Sequence, residues 1–129
     1  MRINNFQDLE IWRISTEVAI LVYKISNNAK FAKDFGLKDQ IRRAVVSISS
    51  NIAEGFEMSN NNDFIRYLRI AKGSAGEART QLFLSFELEY ISSKEFKEID
   101  EELALLSAKI GKFTTYLINK KNSKEFATR

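Results

Sequence analysis

Residues 96–117 read Phe-Lys-Glu-Ile-Asp-Glu-Glu-Leu-Ala-Leu-Leu-Ser-Ala-Lys-Ile-Gly-Lys-Phe-Thr-Thr-Tyr-Leu. Within them Phe96, Ile99, Leu103, Leu106, Ile110, Phe113 and Leu117 recur at alternating spacings of three and four. That is one apolar seam sustained over three heptads, the pattern of a helix lying against other helices. Just upstream, Ser92 stands as an N-cap with Glu95 three residues on as its capping-box partner. The spacing predicts a helix over about 93–119, followed by a polar, frayed tail at 120–129.

The reading extends outward from that seam. Three further helices are expected over about 8–26, 37–58 and 63–91. Polar stretches at 27–36 and 59–62 separate them, the second (Ser59-Asn60-Asn61-Asn62) rich in capping and turn residues. The 129 residues hold no proline and only five glycines, so few positions can break a helix. No segment alternates strictly for long enough to be a strand. Short connections make consecutive helices antiparallel neighbours, so the expected fold is one all-α domain, an antiparallel up-down-up-down four-helix bundle.

Composition narrows the chemistry. Without cysteine there are no disulfides, thiolate metal sites or cysteine nucleophiles, and without histidine the commonest metal ligand and general base are missing. No enzyme activity, cofactor, metal or small-molecule substrate is predicted. No signal-peptide order and no run of ~20 apolar residues is present, so a cytoplasmic protein without a membrane span is the default expectation. The net charge of +3 is compatible with a nucleic-acid partner without demanding one.

The first helix carries two apolar rows. Ile11, Ile14, Val18, Leu21 and Ile25 form one; Leu9, Trp12, Thr16, Ala19 and Tyr23 form the other. An offset of two residues sets them ~200° apart around the axis. A bundle helix needs one apolar stripe, so the row with Trp12 and Tyr23 is expected to face another subunit. The third helix repeats the surplus. Phe64, Leu68, Ala71, Ala75, Ala78 and Leu82 make its core row, while Phe83, Phe86 and Tyr90 add apolar area elsewhere. Two such helices favour a homo-oligomer.

The second helix carries a polar stripe of Gln40, Arg43, Ser47, Asn51 and Glu54 beside its core row of Ile41, Val45, Ile48 and Ile52. Gly73 and Gly76 in the third helix suggest a close approach of backbones, because mid-helix glycine costs ~1 kcal/mol relative to alanine. With positions numbering about 120 in sum at one level, Arg43 is expected to pair with Glu77, and Ser47 to pack on Gly73. Asn51 and Glu54 fit capping or interface roles. Lys72-Gly73-Ser74 lacks the order and the preceding strand of a phosphate loop. A serine activated by Lys72 or Arg43 has no supporting acid/base constellation.

At these residues the chain resembles a known family, the "four helix bundle protein" family related to proteins encoded by intervening sequences in bacterial 23S ribosomal RNA genes. The resemblance rests on Phe6, Asp8-Leu9, Trp12 and Tyr23, then Phe35-Gly36-Leu37, Gln40 and Arg42-Arg43-Ala44. It continues through Ser47-Ile48, Asn51-Ile52-Ala53-Glu54-Gly55, Gly73-Ser74 and Glu77, and spans about 6–118. The segment before Phe35 lacks the proline usual in the family. The resemblance implies a compact bundle assembling into a ring, a homopentamer. It also implies similarity to the basic, pentameric accessory protein of diversity-generating retroelements, which works with a reverse transcriptase and nucleic acid. It implies no enzymatic activity, and ribosome membership does not follow from it.

Charge is segregated. Glu87, Glu89, Glu95, Glu98, Asp100, Glu101 and Glu102 crowd the turn between the third and fourth helices. Arg2, Arg13, Arg66, Arg69, Lys72, Lys112, Lys120 and Lys121 gather at the other end, and Lys38, Arg42 and Arg43 open the second helix at the acidic end. The leading expectation is a non-enzymatic oligomeric scaffold or adaptor. The alternative is an accessory protein that contacts RNA or DNA backbone through Arg42, Arg66, Arg69, Lys72, Lys112, Lys120 and Lys121, multiplied around a ring.

Overall fold

The computed structural model describes residues 3–120. A 3-10 turn, Phe6–Asp8, leads into α1 (Glu10–Ile25), and α2 (Ala29–Lys33), α3 (Phe35–Glu57), α4 (Asn61–Glu87) and α5 (Ser93–Lys120) follow. No strand occurs among the described residues. The four expected helices are therefore present. Residues 121–129 of the expected tail lie outside the described residues.

The boundaries differ where side chains cap the backbone. Asp34 accepts a hydrogen bond from Leu37 N at 3.1 Å, so α3 starts at Phe35, two residues before the expected position. Asn60 accepts from Asp63 N at 2.9 Å and starts α4 at Asn61. Each cap satisfies one of the orphan N–H groups of a helical first turn. The third expected helix stops at Glu87 rather than Ile91, and Glu89 just beyond it takes a positive φ of 61°. The predicted capping box is formed: Ser92 N donates to Glu95 Oε1 at 2.8 Å, and Glu95 N donates to Ser92 Oγ at 3.0 Å.

The expected break at 27–36 contains the short α2, which the absence of strong periodicity concealed. Tertiary contacts hold it. Phe31 is fully buried, its ring 5.5 Å from that of Tyr90. Asn28 Nδ2 donates to Tyr90 O and to Glu95 Oε1, both at 3.3 Å. The Tyr90 hydroxyl donates to Asp34 Oδ2 at 2.9 Å, which holds its pKa above the ordinary tyrosine value. One end of the molecule is thus closed by α2 and the α4–α5 turn.

The seams read from the sequence supply most of the core: Val18 of α1, Ile41, Val45, Ile48 and Ile52 of α3, Phe64, Leu68 and Leu82 of α4, and Leu103, Leu106, Ile110 and Leu117 of α5 are all buried. On α1 the buried face differs from the expected row: Val22, which neither row contained, is fully buried, whereas Leu21 is exposed and Ile14 only partly buried. Packing is pairwise: α3 on α4, α4 on α5, and α1 on both α3 and α5. Along α3 and α4, Gly55 meets Phe64 and Tyr67, Ser47 meets Ser74, and Gln40 meets Gln81. Numbers fall on one helix as they rise on the other, so the two run in opposite directions. Between α4 and α5, Arg79 grips Asp100 through Nε at 2.9 Å and Nη2 at 3.2 Å. That hydrogen bond raises the Arg79 pKa above its ordinary value.

Candidate functional site

The polar stripe of α3 meets α4 through hydroxyls and amides rather than ions. Ser47 and Ser74 share a hydrogen bond of 2.9 Å between their Oγ atoms. Asn51 Nδ2 donates to Ser47 O at 2.8 Å and to Ser47 Oγ at 3.0 Å. Gln81 Nε2 donates to Gln40 Oε1 at 3.2 Å. The expected Arg43–Glu77 pair does not form. Arg43 Nε instead donates to Asp39 Oδ2 at 2.9 Å, one turn earlier on its own helix. The reason is register. The observed pairs Ser47–Ser74 and Gln40–Gln81 shift α4 by one residue from the expected level. That brings buried Ala78 opposite Arg43 and leaves Glu77 exposed.

The same shift corrects the glycine reading. A Cβ on Gly73 or Gly76 would meet no atom within 4 Å, so neither marks a close approach, and Ser47 meets Ser74 rather than Gly73. The close approach is at Gly55, where a Cβ would stand 2.8 Å from Tyr67 Cβ and 2.9 Å from Phe64 Cδ1. Glu54 beside it is exposed.

The structure distributes the candidate phosphate-binding residues over separate places. Arg42 is a structural clamp on the end of α1. It donates through Nε to Ser26 Oγ at 2.8 Å, and through Nη2 to Asn27 Oδ1 at 3.1 Å and Tyr23 O at 3.3 Å. Its guanidinium lies 4.4 Å from the Tyr23 ring centroid. Lys72 Nζ bridges to α5 by donating to Ser107 Oγ at 2.9 Å, a partner no periodicity in the sequence marked. Arg66 lies over Tyr67 and reaches Asp63 at 3.5 Å, and Lys120 lies over Tyr116. Lys112 sits with Arg13, Lys109 and Tyr116 along a groove between α1 and α5. Arg66 and Arg69 instead line a groove of ≈ 620 Å³ with Ile70 and Ile118. Arg2 and Lys121 lie outside the described residues.

The exposed apolar side chains form patches. Trp12 is half-buried against the core with its ring edge-on to Phe6, 5.3 Å between centroids. Further along α1, Ile20 (56% exposed) and Tyr23 (41%) join Val46 of α3 (42%) around a surface dent of ≈ 360 Å³. On the other flank of α1, Ile20 and Leu21 floor a groove of ≈ 560 Å³ whose walls are Glu17, Glu98, Glu101 and Glu102. None of these four carboxylates has an ion pair or hydrogen bond among the described residues. No group of three or more acidic side chains among the described residues is arranged to hold a metal ion. No described helix is long and apolar enough to cross a membrane.

Comparison with known proteins places these features in a lineage. No curated protein is significantly similar to the chain. A solved structure from Bacteroides thetaiotaomicron, described as a protein with unknown function from the S23 ribosomal protein family, superposes with a TM-score of 0.75 at 28% identity. The match covers 81% of this chain and 97% of that one. The sequence pattern of the 23S rRNA-intervening sequence protein family matches residues 7–112, which takes in every described helix through most of α5. The chain therefore belongs to the 23S rRNA-intervening sequence protein family.

Proposed function

We propose that this protein is a non-enzymatic scaffold or adaptor of the cytoplasm, an antiparallel up-down-up-down four-helix bundle that acts as a homo-oligomer. The observation that carries the reading is the patch of Ile20, Tyr23 and Val46, three large apolar side chains each at least two-fifths exposed across α1 and α3. Tyr23 is held in place there by Arg42, so the patch is ordered before any partner arrives. Preorganised apolar surface lowers the entropic cost of association. A ring such as the resemblance implies, up to a homopentamer, buries this patch in every copy. Sedimentation equilibrium at micromolar concentration tests it. A mass several times that of the chain is expected, and a monodisperse monomer overturns the reading.

Contact with nucleic-acid backbone is the second reading. Arg69 and Lys112 favour it, because neither has an ion pair or side-chain hydrogen bond among the described residues. Binding would be dominated by phosphate contacts and would weaken steeply with salt. Fluorescence anisotropy with labelled RNA and DNA from ~50 mM salt upward tests it, and absence of binding at the lowest salt rejects it.

A further inference from the structure

Two grooves on this molecule are opposite in charge and alike in form. The first lies between α1 and α5, with Glu17, Glu98, Glu101 and Glu102 around a floor of Ile20 and Leu21, and measures ≈ 560 Å³. The second lies between α4 and α5, with Arg66 and Arg69 beside Ile65, Ile70 and Ile118, and measures ≈ 620 Å³. Ile20 and Leu21 in the first, and Ile70 and Ile118 in the second, are all at least 39% exposed. Each groove thus has an apolar strip that water leaves favourably and a rim of a single charge sign.

The charges of the acidic groove gain nothing within the molecule. Glu98 and Glu101 or Glu102 stand three and four residues apart on α5, a spacing at which like charges repel. Glu17 faces them from α1, and no basic side chain lines the groove. Arg69 in the second groove is likewise without a hydrogen-bonded or ion-pair partner among the described residues, and Arg66 reaches Asp63 only at 3.5 Å while its guanidinium lies 4.7 Å from the Tyr67 ring centroid. Guanidinium groups match carboxylates in planar, bidentate geometry.

We propose that the acidic α1–α5 groove of one copy receives the basic α4–α5 groove of the next. This inference rests on the homo-oligomer reading and adds a charged contact beside the Ile20, Tyr23 and Val46 patch, with which the acidic groove shares Ile20. The joint is heterologous, since pairing either groove with its own copy would set like charges together. A heterologous joint closes into a ring or propagates, and each copy uses both grooves. Charge complementarity fixes which faces meet, and the isoleucine and leucine side chains supply the buried area.

Charge exchange tests the contact. Arg66→Glu with Arg69→Glu gives a chain with two acidic grooves; Glu98→Lys, Glu101→Lys and Glu102→Lys together give one with two basic grooves, three lysines outweighing Glu17. Each variant alone is expected to associate at least tenfold more weakly than the unaltered protein, read by sedimentation at constant circular dichroism. Mixing the two variants, or combining all five substitutions in one chain, is expected to restore association. The mixture keeps the test decisive if the fivefold variant does not fold. Assembly of either variant as tight as that of the unaltered chain overturns the inference, as does a mixture of folded variants that stays apart. Loss of affinity for a labelled RNA by the Arg66→Glu, Arg69→Glu chain at unchanged mass assigns the basic groove to nucleic acid and also overturns it. A monomeric unaltered protein sinks the oligomer reading itself, whereas an oligomer indifferent to all these substitutions sinks only this contact.

Discussion

The glycines of α3 and α4 are alike in lying within long helices and behave oppositely in the fold. Gly55 sits in the last turn of α3, where the chain is about to reverse, and both Phe64 and Tyr67 press against its Cα. Gly73 and Gly76 sit in mid-α4 with open space where a Cβ would go. The contrast shows that a helical glycine reports a close approach only if its bare face points at the neighbouring helix. Gly73 and Gly76 are exposed, between the buried positions Ala71, Ala75 and Ala78. Alanine serves as the small residue on the packed face of α4, and glycine serves only at the crossing near the turn.

Substitutions around this contrast have graded outcomes. The largest is Phe64→Ala. Phe64 is fully buried, with Phe56 and Phe113 edge-on at 6.0 and 5.5 Å. Loss of about 3–5 kcal/mol in urea-induced unfolding is expected. Gly55→Ala comes next, because the new methyl would stand under 3 Å from Tyr67 Cβ, an atom fixed to the backbone. A cost of about 1–3 kcal/mol is expected; a neutral result would mean that the crossing can open freely. Ser47→Ala removes the link to Ser74 and one acceptor of Asn51, with an expected loss of about 0.5–1.5 kcal/mol. Gly73→Ala should act in the opposite direction, raising stability by about 0.5–1 kcal/mol, since the helix gains propensity and nothing is displaced. If Gly73→Ala proved destabilising, the distinction between the two regions would fail.

A pH experiment probes the far end of the bundle, where Tyr90 donates to Asp34. The hydrogen bond to the carboxylate raises the Tyr90 pKa, so the folded state holds this proton more tightly than the unfolded state. The resulting stability is fully present below the unfolded tyrosine value near ~10 and is lost as pH rises through the folded value. Tyr90 should titrate late in an ultraviolet absorbance titration, and Tyr90→Phe should remove a late component. If the amplitude lost in Tyr90→Phe lay at the ordinary tyrosine value instead, the bond would be absent in solution.

Much of the fold was legible. The three-four seam of 96–117 gave α5 nearly to its ends, and Ser92 with Glu95 gave its cap. Those signals are local: a seam needs only helical geometry, and a capping box spans four residues. The short α2 was not legible, because its stability comes from Phe31 beneath Tyr90, fifty-nine residues away. Arg42 shows the same limit. Its charge read as a phosphate contact, yet it caps α1, a role that depends on where Ser26 and Asn27 end up. The grooves, assembled from α1, α4 and α5, had no sequence signature beyond an acidic run and scattered arginines.

What the sequence by itself determined was the all-α class, the four long helices, most of their buried faces, and a chemistry without histidine or cysteine. These follow from periodicity and composition, which are properties of neighbours along the chain. What only the tertiary structure decided was register. One residue of slippage between α3 and α4 sets Ser47 against Ser74 rather than Gly73 and leaves Arg43 to pair with Asp39 on its own helix, and the close approach lies at Gly55 rather than at Gly73. Helical periodicity leaves such a shift nearly free until side chains interlock, because each successive residue turns the face by ~100° while the apolar stripe spans about as much. Here the interlocking contacts are Gly55 against Phe64 and Tyr67, Ser47 with Ser74, and Gln40 with Gln81.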